Sequence, residues 1–100
     1  MDKSSDNYIS IISDRIRSCL EPEEIPDKGL ELLFGIYAVL ALTKGADVTD
    51  RDVHDAWSLW ATLYEPDSDS LVPFNKLADD VQSKDSKFTE AIVKIAKELK

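Results

Sequence analysis

The chain has 100 residues, 43% hydrophobic and 32% charged, with a formal net charge of −8 and a single cysteine. That length holds one ordinary domain with a core of its own. The acidic balance argues against two classes of partner, because a surface short of Lys and Arg neither displaces counterions from a phosphate backbone nor adheres to anionic lipid. Direct nucleic-acid binding and membrane binding are therefore not expected; the charge serves solubility or, alternatively, presents a DNA-like face to a basic protein.

Met1 to Asn7 is polar, reads as a flexible lead-in to a single domain over residues 8–100, and has the pattern of neither a signal nor a transit peptide. The first helix is expected from Asp6 to Leu20, where Ile9, Ile12, Ile16, Cys19 and Leu20 recur at helical spacing, with Ser5 or Asp6 as cap. Cys19 falls on that apolar stripe and reads as a small core residue; alone, it makes no intramolecular disulfide. The prolines of Glu21-Pro22-Glu23-Glu24-Ile25-Pro26 make an acidic connector.

A second helix is expected from Asp27 to Lys44, capped by Asp27 and stopped by Gly45. Its Leu30–Leu42 run is apolar on all sides apart from Glu31, which predicts burial at the centre of the fold; it is too short to cross a bilayer. Together with the polar N-terminus this gives an expected cytoplasmic location. Gly35 inside the helix costs about 1 kcal/mol relative to Ala, which close packing of a neighbour would justify. Thr49 caps the third helix, with Asp50 and Asp52 in its first turn. Its stripe is Val53, Ala56, Trp57, Trp60, Leu63 and Tyr64.

Glu65 to Ser70 is a polar loop and Leu71-Val72-Pro73-Phe74 an apolar plug. Leu77 to Lys84 reads as a short helix or turn. Asp85 or Ser86 is expected to cap a last helix with Phe88, Ile92, Ile95 and Leu99 facing inward. The predicted fold is all-α, a compact single-domain bundle of four to five helices.

Catalytic signatures are weak. His54 has Ser58 one turn on, but Asp55 points elsewhere on a helix, so a catalytic histidine competes with one at the core edge bonding a loop backbone and with one that contacts a ligand. Asp67 and Asp69 lack the remaining ligands and glycine of a calcium loop. The sequence has no glycine-rich phosphate loop and no Cys/His cluster for zinc. No enzyme activity, metal or cofactor is expected.

His54-Asp55-Ala56-Trp57, then Leu71-Val72-Pro73-Phe74-Asn75-Lys76-Leu77, Asp85, and Ile92 with Ile95 resemble in order the ryanodine-receptor repeat (RyR) domain. The likeness covers residues 48–99; Leu63 to Ser70 is shorter than the family's stretch and lacks its Gly and Arg. The chain is also similar, over Val48-Thr49-Asp50-Arg51-Asp52-Val53-His54-Asp55-Ala56-Trp57-Ser58, to small proteins of actinobacteria and their phages, a closer likeness that implies no activity. The RyR resemblance implies a non-enzymatic interaction or ligand-sensing module, binding a protein partner or a small nucleotide-like ligand. His54, Trp57, Trp60, Pro73 and Phe74 would line its site, an aromatic ring stacking a base and His54 bonding it. The competing reading is that His54 and Trp57 clamp the plug to the bundle. The alternative function is an acidic inhibitor that neutralises a basic host factor.

Overall fold

The computed structural model describes residues 7–99; Ser5 and Asp6, the expected caps, and the rest of the lead-in before Asn7 lie outside the described residues. The elements are α1 (Tyr8–Arg17), α2 (Leu30–Lys44), α3 (Asp50–Tyr64) and α4 (Asp79–Glu98), with short 3-10 turns at Pro22–Glu24, Gly45–Asp47 and Phe74–Lys76. The fold is an all-α bundle, with no strand among the described residues.

Asn7 caps α1, its side-chain oxygen accepting the Ser10 N–H at 2.9 Å. The helix stops at Arg17, where Ser18 and Cys19 fold back to hydrogen-bond the Arg15 carbonyl. Beyond that point helical periodicity no longer applies. Leu20 is buried, but Cys19 is exposed and is not the core residue its spacing suggested.

α2 begins at Leu30, and Gly29 rather than Asp27 stands at its N-cap, with φ 67°. A Cβ at Gly29 would lie 2.5 Å from both Trp60 Nε1 and Tyr64 Cε2. Both the left-handed backbone and the ring contacts therefore require glycine here. The close approach expected at Gly35 is absent, since no atom lies within 4 Å of its Cβ position. Leu33, Phe34, Tyr37, Ala38 and Ala41 are buried, but Val39 and Leu42 are 47% and 43% exposed. Three neighbouring helices thus cover α2 on its inner side only, and the expected all-round burial is not reached.

Thr49 and Asp52 cap α3 reciprocally, each side chain accepting the other's backbone N–H at 3.2 and 3.0 Å. The largest departure from the sequence expectation is α4. No Gly or Pro interrupts residues 79–98, and Gln82 Nε2 donates to the Phe74 and Leu77 carbonyls at 3.0 and 3.2 Å, fastening the plug to the first turn. The helix is therefore continuous from Asp79, and Asp85 lies within it instead of capping it. Leu99, expected to face inward, follows the helix and is 39% exposed.

The core joins Ile12 and Ile16 of α1, Leu33 and Tyr37 of α2, Val53 and Trp60 of α3, and Ile92 and Ile95 of α4. Tyr37 touches Phe34 edge-on and Phe88 at a tilt, both at 5.7 Å between centroids. Asp50 fixes the start of α3 to α4 by accepting from Ser86 Oγ (2.8 Å) and Thr89 Oγ1 (2.6 Å). The acidic connector is tied to α4 by the Lys87–Glu24 ion pair at 2.8 Å. No helix among the described residues is long and apolar enough to cross a membrane.

Candidate functional site

His54 is 2% exposed, the one buried polar side chain in the described core. Its place in the second turn of α3 aims the ring at the gap between α4 and the plug. Nε2 lies 2.6 Å from the Val72 carbonyl oxygen. A carbonyl only accepts, so Nε2 carries a proton and donates it. Nδ1 then faces Asp85 Oδ2 at 3.6 Å. Burial pushes the Asp85 carboxyl up to about 6; His54 opposes that rise and Asp50 adds to it. A neutral imidazole beside a carboxylic acid and an imidazolium beside a carboxylate both satisfy this contact. A neutral ring beside an ionised carboxylate leaves two lone-pair-bearing atoms opposed.

The aromatic side chains continue from this pair. The Trp57 ring stacks on His54, 5.4 Å away at 23°, and Phe74 tilts against the same imidazole at 6.0 Å. Trp57 meets Trp60 at 6.4 Å, and Trp60 stacks on Tyr64 at 5.7 Å. Trp60 is 2% exposed, and its indole N–H donates to the Lys28 carbonyl at 3.1 Å. This bond holds the Asp27–Gly29 bend against α3 and, with Gly29 beneath the rings, fixes the indole's angle.

Between α3, α4 and the acidic connector lies a cavity of about 390 Å3, within the range of small-molecule sites, roughly 300–1,000 Å3. Trp57, Trp60, Phe88, Leu33, Ile25 and Val81 form its apolar wall; His54, Asp85, Glu24, Glu23, Glu65, Lys84 and Ser70 bring polar groups to it. Three of the five residues expected at the site, His54, Trp57 and Trp60, line this cavity. Phe74 touches it only through the His54 ring, and Pro73, exposed, sets the turn outside it. With Nε2 given to the Val72 carbonyl, His54 holds the plug in place, and its Nδ1 faces the Asp85 carboxyl. Of this pair, Asp85 is the more open to the cavity, its side chain 16% exposed against 3% for His54.

Asp85, Lys84 and Phe88 belong to the cavity because α4 is continuous, which the sequence reading divided at Asp85. Their helical spacing, with Val81 a turn earlier, was the available signal. Among the described residues, no group of His, Cys, Asp and Glu is arranged to hold a metal. Searches of curated proteins and of solved structures give no significant match. A family model described as Domain of unknown function (DUF7701) matches residues 7–97, and the chain belongs to that family.

Proposed function

We propose that this domain is a non-enzymatic binding module whose cavity takes a small planar ligand, nucleotide-like in its ring system, against Trp57 and Trp60. The observation that carries the reading is the cavity itself: an aromatic wall with a partly buried, pKa-shifted carboxyl converging on it is the usual composition of a ligand site. The resemblance of the His54–Trp57 and Leu71–Leu77 segments to the RyR domain supports the same reading. It also suggests that the module serves a bacterial or phage sensing system in the cytoplasm. The non-enzymatic part rests on His54, whose Nε2 is bonded to the Val72 carbonyl and whose Nδ1 faces a carboxyl in place of a nucleophile. The acidic-inhibitor alternative draws on the net charge and the small size.

Native mass spectrometry of protein purified gently from its own host tests the reading. A small-molecule mass is expected on the wild type and lost in Val81→Trp, which fills the cavity from α4. A mass retained equally by the filled variant would place the ligand elsewhere and refute the site.

A further inference from the structure

Resting on the cavity reading above, we infer that the ligand is an organic cation, a flat nitrogen-rich ring bearing N–H donors and no phosphate. The charges around the cavity decide this. Glu23, Glu24, Glu65 and Asp85 line it against a single ammonium, that of Lys84. Glu24 is balanced by Lys87 at 2.8 Å. That leaves three carboxyl groups facing one cation, in a chain of net charge −8. A phosphate entering such a mouth would meet three carboxyl groups, and no arginine lines the cavity to receive it.

The walls favour the same class. Trp57, half-buried, and the edge of the buried Trp60 line the cavity, and the electron-rich indole of Trp57 attracts a cation that comes to lie over it. A delocalised planar cation gains both stacking and this electrostatic term. At the polar end, Asp85 Oδ2 is turned to His54, and among the described residues no hydrogen-bond donor meets Oδ1. A carboxylate that faces a lone pair on one side gains from a cationic N–H donor on the other, and an amidine-like edge supplies such a charge-assisted bond. His54 is thus a positioning residue: its bond to the Val72 carbonyl holds the plug beside the cavity, and its ring stands next to Asp85.

Three probes of one shape test the charge directly: benzamidine (cation), benzamide (neutral) and benzoate (anion). Both tryptophans line the cavity, so titration of intrinsic fluorescence reads binding there. Benzamidine is expected to bind at least about tenfold more tightly than benzamide, the difference between a charge-assisted and a neutral hydrogen bond, with benzoate weakest. Asp85→Asn is expected to remove that preference. Glu65→Gln, at an exposed position on the rim, is expected to reduce it by about two- to threefold, as for a screened surface charge. Equal affinity for all three probes, or a preference for benzoate, would overturn the inference and leave the cavity reading intact. A cation preference that survives both substitutions would overturn the assignment to these carboxylates. No saturable response to any probe by folded wild type would bring down the cavity reading, and the inference with it.

Discussion

Replacing Asp85 by Asn is expected to stabilise the fold at neutral pH while weakening the site. Burial holds the Asp85 carboxyl at about 6, against 3.8 for the free side chain. The native state therefore binds this proton more tightly than the unfolded chain does. The carboxyl's stabilising contribution is complete below 3.8 and is lost as pH rises through 6. The difference corresponds to about 3 kcal/mol at most. Because the side chain is 16% exposed at a solvent-connected cavity, screening reduces this to about 1–2 kcal/mol.

Asparagine carries no charge to bury, and its amide N–H can donate to His54 Nδ1, relieving the opposed lone pairs. The charged or titratable groups around Asp85 are His54 and Asp50 on α3, Tyr37 on α2 and Lys84 on α4. All are common to both proteins and largely cancel in the difference. Urea unfolding followed by tryptophan fluorescence, at about pH 4.5 and about pH 7.5, gives that difference directly. The variant should gain about 1–2 kcal/mol at the higher pH and about a third of that at the lower. A loss of more than about 1 kcal/mol at neutral pH would refute the reasoning and make Asp85 a structural clamp for His54. So would a difference independent of pH.

Further predictions follow from the packing. Gly29→Ala should destabilise by about 2 kcal/mol or more, from the left-handed backbone and the Trp60 and Tyr64 rings it would strike, whereas Gly35→Ala should stabilise by about 0.5–1 kcal/mol; thermal unfolding of the two variants checks the contrast. Trp60→Phe leaves the Lys28 carbonyl without its indole donor and should lose about 1–3 kcal/mol by urea unfolding. His54→Phe removes the donor to Val72, and limited proteolysis should then cut between Leu71 and Lys76 faster than in wild type. Thr49→Ala should cost about 1 kcal/mol of stability by removing the α3 cap.

The bundle was legible because its punctuation is local. Thr49 with Asp52 starts α3, Gly45 ends α2, and the spacing of Val53, Trp57 and Trp60 defines a face without reference to the rest of the chain. The clamp reading of His54 was also available, since a lone histidine one step off an apolar stripe needs a backbone acceptor, which the Val72 carbonyl supplies. What the sequence did not disclose depends on tertiary packing. Asp85 looked like a cap because Asp at the start of a helical pattern usually is one. The backbone bonds of Val81 and Gln82 to the Ala78 carbonyl show that α4 had already begun, and the Gln82 side chain fastens that turn to the plug. Gly29 and Gly35 exchanged roles for the same reason: which glycine a ring approaches is set by the crossing of α2 and α3, and no local pattern encodes it. The cavity joins the Glu23–Pro26 connector to α4, a juxtaposition of residues about 60 apart that no periodicity predicts.

The central claim is that the space between Trp57, Trp60 and Asp85 receives a ring. The chain has two tryptophans, so a 1H–15N spectrum carries two indole N–H signals, both from the cavity wall. Adding benzamidine should move both along one saturation curve, while backbone signals of the distant face at Val93 and Lys97 stay fixed. Indole signals that remain in place up to the probe's solubility limit in folded protein, or shifts confined to another face, would contradict the account.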